Sequence, residues 1–581
     1  MKLSSRLRLT PWEVAVLVPL GTIIALFLVF RFPLHDRLID WTGETDLPHQ
    51  VKALLDQARQ RPIDTQGMVP VAHTDAPPYG INTFFEQEVE EAKVRKGMEM
   101  LRDAGVRWIR QEFPWADIET PMKGDYINGY GASTWDKYDR IVNTADEYGL
   151  QIVARVDYPP SWARADQSNP FGPPDNLDDY GEFLYKLTQR YKGKISYFQI
   201  WNEPNLYEEW GSQTPDARAY VEMLKTAYRR IKEANSEAVV LSAALSPTLG
   251  TEGGRNESDL TYLQKMYDAG AKDYFDIMAA QGYGLWTGPG DRRADPSRVN
   301  FSRPELIREI MVRNGDAQKP VWATEVGWNA LPQDFPLEAT HGRVTRDFQA
   351  RYTADAYRRA TEEWPWMGVL FYWHFRRVSD ADRDQVSYYF SMVEPDFTTH
   401  PVYDAYKKLA LSESPLGKSY HQETDWAIAY DGDWQSKQDS RASLGSYMAS
   451  MRQGDSLSFR FRGSDLTLVT RKGPDAGKLI IAIDGEPSRA NQLPQDAQGR
   501  AYIDLGSLIE EWQAEVPIAR GLRGTKHTAI IEIASDRGEV AVDGVIVDSS
   551  GSSALRLALG TVLLLGAATA LAGWHASRRP W

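Results

Sequence analysis

The chain has 581 residues, too many for one compact domain, so two or three domains are expected. Its formal net charge of −14 argues against a polyanion such as nucleic acid as a partner and favours a neutral or cationic ligand. Cysteine is absent, which excludes disulfides, thiolate metal sites and cysteine nucleophiles.

Two apolar segments lie near the ends of the chain. Residues 14–30 carry no charge and follow a basic stretch, which predicts an uncleaved transmembrane anchor within residues 1–32. Residues 557–574 predict a second transmembrane helix, at 554–575, before a basic tail at 576–581. The basic flanks predict cytoplasmic termini, contact with membrane lipid and an extracytoplasmic location for everything between. The alternatives are a signal peptide for the first segment and a buried core helix for either.

The region between the two apolar segments begins with residues 33–78. Its sequence predicts an amphipathic helix near the membrane at 49–61, followed by a proline-rich linker.

From residue 79 to 414, short apolar runs alternate with helical patterns. This repeated order favours a parallel (β/α)8 barrel over an open doubly wound sheet. The predicted strands are residues 80–85, 107–112, 151–156, 195–200, 238–244, 277–281, 320–324 and 369–373. The predicted helices are residues 91–104, 134–148, 177–191, 215–235, 259–269, 303–314, 345–363 and 403–409.

Residues 415–549 lack the helical alternation and show short strands with glycine-rich turns. This pattern predicts an all-β sandwich, similar to the jelly-roll modules that follow many barrel enzymes. The predicted strands are residues 456–462, 465–470, 478–483, 501–504, 527–533 and 539–547.

The β domain has two candidate binding features. Its aromatic residues predict a sugar-binding face, with a purely bracing domain as an equal alternative; they are Trp426, Tyr430 and Trp434. A weaker expectation is a calcium site that uses carboxylates from Asp431, Asp433 and Asp484.

Two glutamates follow predicted strands that face each other across the barrel. Strand four ends in Gln-Ile-Trp-Asn-Glu-Pro-Asn, which contains Glu203, and strand seven ends in Trp-Ala-Thr-Glu-Val-Gly-Trp, which contains Glu325. Chemistry in such barrels takes place at the C-terminal ends of the strands, so the two carboxyls can converge. Two carboxyls about 5–5.5 Å apart suit a retaining glycosidase, in which one attacks the anomeric carbon and the other transfers protons.

The Asn-Glu-Pro string and the strand-seven glutamate together resemble clan A of the glycoside hydrolases, the cellulase-like and β-xylosidase-like barrels. The resemblance covers roughly residues 79–411. It implies a retaining O-glycoside hydrolase that needs no cofactor or metal and acts on a β-linked carbohydrate. Glu203 would then be the general acid/base and Glu325 the nucleophile. The alternative is that both are exposed acidic loop residues.

The resemblance also implies substrate-binding residues at other strand ends. Arg110, at the end of strand two, would hold the nucleophile ionised, and Asn202 would bind the sugar 2-hydroxyl. Tyr283 would donate a hydrogen bond to the nucleophile, and Trp373 would form an aromatic floor under the reacting sugar. Trp328 is a candidate outer sugar platform. A surface ion pair is the alternative for Arg110, and ordinary packing is the alternative for the aromatic residues.

One position departs from the clan pattern. Many clan members carry His-x-Tyr at strand six, whereas this chain has Gln281-Gly282-Tyr283. A glutamine cannot titrate, so any role of that histidine in protonation is absent. The substrate is therefore not assigned from the resemblance.

Three functions remain open from the sequence. The first is hydrolysis of an extracytoplasmic poly- or oligosaccharide, and the second is transglycosylation on the same site. The third is a non-catalytic polysaccharide-binding envelope protein. Sugar identity, linkage, endo or exo action and oligomeric state stay open as well.

Overall fold

A computed structural model describes residues 35–251, 253–488, 493–534 and 538–548. Its first part is an eight-stranded barrel surrounded by helices. The barrel strands are β1 Tyr79–Thr83, β2 Trp108–Glu112, β3 Gln151–Val156, β4 Tyr197–Ile200, β5 Val239–Leu241, β6 Met278–Tyr283, β7 Val321–Gly327 and β8 Met367–Tyr372. The sequence therefore predicted each of the eight strands to within a few residues.

The described helices alternate with these strands. They are α1 Leu47–Arg59, α2 Glu91–Asp103, α3 Trp115–Ile118, α4 Trp135–Glu147, α5 Leu177–Arg190, α6 Ala217–Ala234, α7 Asp259–Asp268, α8 Arg303–Arg313, α9 Arg346–Glu363 and α10 Pro401–Ala410. Several begin at a side chain that accepts a hydrogen bond from the first turn, such as Asp216 before α6 and Thr345 before α9. Most present an apolar face to the barrel and a charged face to solvent.

The barrel strands form a closed parallel sheet. Their order is β5-β4-β3-β2-β1-β8-β7-β6, and parallel bridges from Leu241 to Ile277 and from Leu245 to Ala280 join β5 to β6. All eight strands therefore direct their C-terminal ends to the same rim, which is called the mouth below.

Alternate residues of a barrel strand occupy successive layers of its interior. On β2, Trp108 lies in an apolar layer, where its ring is 4.9 Å from that of Tyr197 and 5.1 Å from that of Trp322. Arg110, two residues later, lies in a polar layer closer to the mouth. The apolar layer thus supports a charged layer from below.

The second part of the chain is a sandwich of two antiparallel sheets. One has the order β10-β13-β19-β15-β16, with β17 beside β15, and the other has the order β11-β12-β20-β14-β18, with β9 beside β20. The strands are β9 Ser419–Gln422, β10 Ala429–Asp431, β11 Gln435–Gln438, β12 Ser446–Ser450, β13 Ser456–Arg462, β14 Asp465–Lys472, β15 Lys478–Ile483, β16 Glu486–Pro487, β17 Tyr502–Asp504, β18 Glu511–Ala519, β19 Lys526–Ile533 and β20 Val540–Asp548. Alternate buried side chains from both sheets form its core.

The sandwich contacts the barrel at the end opposite the mouth. The ring of Trp426 lies edge-on to that of Tyr79, the first residue of β1, at 6.1 Å between centroids. The backbone N–H of Trp426 donates to the carbonyl of Asp75 at 3.0 Å, and the Thr424 hydroxyl donates to the Asp75 carboxylate at 2.6 Å. The sandwich therefore braces the N-terminal ends of the strands.

Residues 35–73 run along the outside of the barrel, and this segment is called the strap below. Near the mouth, the carbonyl of Gly43 accepts a hydrogen bond from the N–H of Gly288 at 2.8 Å, and Glu44 pairs with the buried Arg293 at 2.5 Å. Farther along, the carbonyl of His73 accepts a hydrogen bond from the indole of Trp322 at 3.0 Å. The segment predicted to contain a linker is thus in contact with the barrel.

The prediction of a transmembrane helix near each end of the chain is corrected. No helix within the four described ranges is both long and apolar enough to cross a bilayer. The helices α6 and α9 have 18 residues each, but charged side chains recur along both of them. The predicted spans themselves, 14–30 and 557–574, lie outside the described residues. Flanking transmembrane helices and contact with membrane lipid are therefore not supported by the structure.

Candidate active site

The two predicted catalytic glutamates both lie at the mouth of the barrel. Glu325 is on β7, where the pairing with β6 shifts by one residue, and it is 4% exposed. Glu203 follows β4, and its φ of 47° is in the left-handed region that few residues other than glycine adopt. Its N–H donates to the carbonyl of Ala244 at 2.9 Å, which holds this conformation. Such strain is common where a side chain must be aimed at a site.

Arg110 connects the residues at the centre of the mouth. Its Nη1 donates to Glu325 Oε1 at 2.9 Å and to Asn82 Oδ1 at 2.8 Å. Its Nε donates to Gln199 Oε1 at 2.6 Å, and its Nη2 donates to Asn202 Oδ1 at 2.9 Å. The guanidinium is buried, and a buried charge is stable only when it is paired and hydrogen-bonded, as it is here.

Both carboxylate oxygens of Glu325 accept hydrogen bonds. Arg110 occupies Oε1, and the Tyr283 hydroxyl donates to Oε2 at 2.7 Å. Burial and the charge of Glu325 hold the pKa of Tyr283 well above its usual range, so its hydroxyl stays a donor. Glu325 therefore has a charged donor on one oxygen and a neutral donor on the other, and the two hold its carboxylate in place.

Glu203 has a different environment. Burial, with the negative charge of Glu325 as the next contribution, raises the pKa of Glu203 to about 7. The Gln281 side chain opposes this by donating from Nε2 to Glu203 Oε1 at 2.6 Å. Glu203 can therefore gain and lose a proton near neutral pH, as a general acid/base must.

A second charged cluster lies beside the first and was not predicted from the sequence. Arg155, on β3, donates to Asp157 at 2.6 Å, to Glu112 at 2.7 Å and to the Tyr158 hydroxyl at 2.9 Å. Burial raises the pKa of Asp157 to about 6 and outweighs the opposing charge of Arg155. Arg155 lies on β3 and Asp157 directly follows it, and because this strand is buried on both faces, no alternation of polar and apolar residues marks these positions in the sequence.

Another carboxylate lies in the loop after β4. Burial, assisted by the charge of Glu203, raises the pKa of Glu209 to about 8. Glu209 is therefore protonated near neutral pH and adds no negative charge beside Glu203.

The predicted aromatic residues have different positions. The half-buried ring of Trp373 lies edge-on to that of Phe84 at 5.5 Å, just past the ends of β8 and β1. Trp328 is fully buried; its indole donates to the carbonyl of Thr287 at 2.8 Å, and its ring packs on Phe301. The structure thus brings Trp373 to the mouth and places Trp328 in the core, which was the alternative for that residue.

The candidate features of the β domain are occupied by other contacts. Trp434 is buried in the sandwich, and Trp426 packs on the barrel. Asp433 pairs with Arg452 at 2.7 Å, and Asp484 pairs with His527 at 2.7 Å. Within the described ranges, no group of three or more His, Asp or Glu residues could hold a metal ion. These contacts favour the bracing role for this domain.

Comparison with known proteins gives structural neighbours only. No model of a protein family matches the chain, and no curated protein is significantly similar to it in sequence. A family 39 glycoside hydrolase from Bacteroides cellulosilyticus is 17% identical, with 80% of this chain and 83% of that chain covered and a TM-score of 0.44. A monomeric β-xylosidase from Caulobacter crescentus is 14% identical, with coverages of 81% and 99% and a TM-score of 0.42. Xylanase 10B from Thermotoga maritima is 14% identical, with coverages of 58% and 96% and a TM-score of 0.40.

The names of these neighbours describe a glycoside hydrolase, a β-xylosidase and a xylanase, which are enzymes of the class that the sequence resemblance predicts. Identities of 14–17% and TM-scores of at most 0.44 do not by themselves indicate a common substrate or reaction. The function of this chain therefore depends on the chemistry of its own site.

Proposed function

We propose that the chain is a retaining glycoside hydrolase that cleaves β-glycosidic bonds of a poly- or oligosaccharide by double displacement. One observation carries the proposal: the two glutamates at the mouth have opposite environments. Glu325 accepts hydrogen bonds on both carboxylate oxygens, one from the charged Arg110 and one from Tyr283. Glu203 has a pKa of about 7, which allows it to hold a proton. A nucleophile beside an acid is the pair that this reaction needs.

In the first step, the carboxylate of Glu325 attacks the anomeric carbon. Glu203 gives its proton to the leaving oxygen, and a glycosyl-enzyme ester forms on Glu325. This step removes the negative charge of Glu325, which had raised the pKa of Glu203. The ionised Glu203 is thereby stabilised for the next step.

In the second step, Glu203 takes a proton from water, which attacks the ester and releases the sugar with its original configuration. Asn202 supports both steps, because its Oδ1 accepts from Arg110 and its Nδ2 is left to donate to a sugar hydroxyl. A hydrogen bond of this kind to the sugar 2-hydroxyl strengthens in the transition state.

Substitution of each glutamate tests the proposal. Glu203→Gln and Glu325→Gln should each lower kcat on 4-nitrophenyl β-glycosides by on the order of 10³-fold or more, because acid/base or nucleophilic catalysis is lost. Glu338→Gln, an exposed glutamate in the loop after β7, is the matched control and should keep full activity. Mass spectrometry should find a 2-deoxy-2-fluoro glycosyl label on Glu325. Wild-type rates in either mouth variant would refute the assignment.

Transglycosylation would use the same glycosyl-enzyme, with a sugar hydroxyl in place of water. Product analysis with added acceptor sugar distinguishes it from hydrolysis. A non-catalytic carbohydrate-binding protein would give neither products nor the fluorosugar label. The extracytoplasmic location of the barrel and sandwich stays a prediction from the sequence.

A further inference from the structure

Arg377 lies at the mouth, four residues after Trp373 in the loop that follows β8. Its guanidinium carbon is 4.6 Å from the centroid of the Phe84 ring, which itself lies edge-on to Trp373 at 5.5 Å. The guanidinium is therefore next to the centre where the reaction is proposed to occur.

The partners of Arg377 differ from those of the other two arginines at the mouth. Arg110 pairs with Glu325, and Arg155 pairs with Glu112 and Asp157. Within the described part of the chain, no residue accepts a hydrogen bond from the buried Nε of Arg377, and no carboxylate lies within ion-pair distance of it. Partly desolvating a charge without a partner is unfavourable, so the arrangement suits a ligand whose acceptors reach the two terminal nitrogens of the guanidinium, which are not among its buried atoms.

The carboxylates nearest to Arg377 do not neutralise it by contact. Glu112 is already bound to Arg155. Glu86 accepts a hydrogen bond from Gln111, and burial together with the charge of Glu112 raises the pKa of Glu86 to about 8, so it is protonated near neutral pH. Asp382, in the same loop, accepts a hydrogen bond from Gln385 at 3.2 Å.

We propose that Arg377, Phe84 and Trp373 form a subsite for the carboxylate of an acidic sugar unit, such as a hexuronic acid. A guanidinium binds a carboxylate through two parallel N–H donors, the buried Phe84 ring supports the guanidinium, and the half-buried Trp373 can accept the apolar face of the sugar. This inference rests on the proposed function and names its substrate class. It also revises the expectation of a neutral or cationic ligand, because that expectation came from the charge of the whole chain and not from the mouth.

Binding to an inactive protein tests the subsite without turnover. Full-length Glu325→Gln is titrated calorimetrically with the methyl β-glycosides of glucuronic, galacturonic and mannuronic acid, and with those of glucose, galactose and mannose. At least one acid should bind on the order of 10- to 100-fold more tightly than its neutral counterpart, as expected for a charge-assisted pair. If no acid binds more tightly than its neutral counterpart, the inference is overturned.

Two variants in the same background identify the residue responsible. Arg377→Gln should abolish the preference for the acid, and Arg377→Lys should keep part of it, because lysine retains the charge without the planar fork. Arg383→Gln, in the same loop but already paired with Asp380 and Glu394, should keep the preference in full. A preference that survives Arg377→Gln would also overturn the inference.

The two proposals fail in different ways. If the wild type hydrolyses neutral glycosides and shows no preference for acids, the proposed function is supported and the carboxylate subsite is refuted. If an acid binds in a manner that depends on Arg377 but the wild type hydrolyses no glycoside, the subsite is supported and the proposed function is refuted.

Discussion

Neighbouring side chains give the two glutamates at the mouth different environments. Glu203 and Glu325 are both glutamates, so in the proposed reaction only their neighbours can make one an acid and the other a nucleophile. Glu325 has Arg110 and Tyr283 as donors, whereas hydrogen bonds from the neutral side chains of Gln281 and Ser246 lower the pKa of Glu203. The protonation of Glu203 is therefore tuned through residues that need not touch the substrate.

The pH dependence of the proposed reaction follows from Glu203. Because its pKa is about 7 and the acid must be protonated to act, kcat/KM should fall as pH rises through about 7. Removing the hydrogen bond of Gln281, which lowers this pKa, should raise it further. Gln281→Leu is thus expected to move the alkaline limb of kcat/KM to higher pH. Gln213→Leu, an exposed glutamine after β4, should leave the limb in place. An unmoved limb in Gln281→Leu would contradict this account.

The residues of the site differ in how far the sequence predicted them. Glu203, Glu325, Arg110, Asn202 and Tyr283 stand where motif and strand order placed them, although their catalytic roles stay predictions. The cluster around Arg155 was missed for a physical reason. A strand buried on both faces shows no alternation of polar and apolar residues, so its inward positions cannot be identified from sequence. Trp328 was predicted to bind sugar but is buried in the core, because the sequence does not distinguish tryptophans that pack from tryptophans that bind sugar.

Whole elements were predicted best where burial is continuous. The barrel strands read as short apolar runs between helical patterns, and these were recognised. The longest omission is β18, whose charged residues and Pro517 obscure the strand pattern. Among the described strands it pairs only with β14, at the edge of its sheet, where a proline does not interrupt a neighbouring strand. The sequence also did not predict that the strap contacts the barrel, since several of these contacts are made by backbone and charged groups.

The strap contributes to stability through Glu44. Its carboxylate pairs with Arg293, whose side chain is 5% exposed and which also pairs with Asp291. Because Asp291 remains, Glu44→Ala should lower the free energy of unfolding by about 1–2 kcal/mol, the cost of one charge-assisted hydrogen bond. Glu90→Ala, which removes an exposed pair with Lys93, should change it by less than about 0.5 kcal/mol. Denaturant unfolding measures the free energy of unfolding of both variants. Equal losses would show that the Glu44–Arg293 pair stabilises the protein no more than an exposed ion pair does.

On the scale of the whole molecule, the two domains meet at the end of the barrel away from the mouth. The sandwich contacts Asp75 and Tyr79, before and at the start of β1, whereas Glu203 follows the end of β4 and Glu325 lies near the C-terminal end of β7. This placement supports the barrel without covering the substrate entrance. The net charge of −14 acts on a ligand from a distance, where salt screens it strongly. The charge of Arg377 acts on a ligand at the mouth by contact, where salt screens it less.

Trp426 is the residue through which this support can be measured. It is 38% exposed, and its ring packs on Tyr79. Trp426→Ala should lower the free energy of unfolding by about 2 kcal/mol, less than for a fully buried tryptophan. Trp286→Ala is the matched control, because that side chain is 62% exposed, and it should change stability by less than about 0.5 kcal/mol. Similar losses in the two variants would argue against a bracing role.

The strap also determines which recombinant fragment is worth producing. A fragment cut at Tyr79, where the barrel begins, would keep all eight strands and both glutamates. It would nevertheless strip Glu44 from Arg293 and remove the backbone contact between Gly43 and Gly288. Both contacts hold the loop that leaves β6 directly after Tyr283. A fragment for crystallisation or glycan assays should therefore start no later than residue 35, so that the loop beside Tyr283 and Glu325 keeps its support.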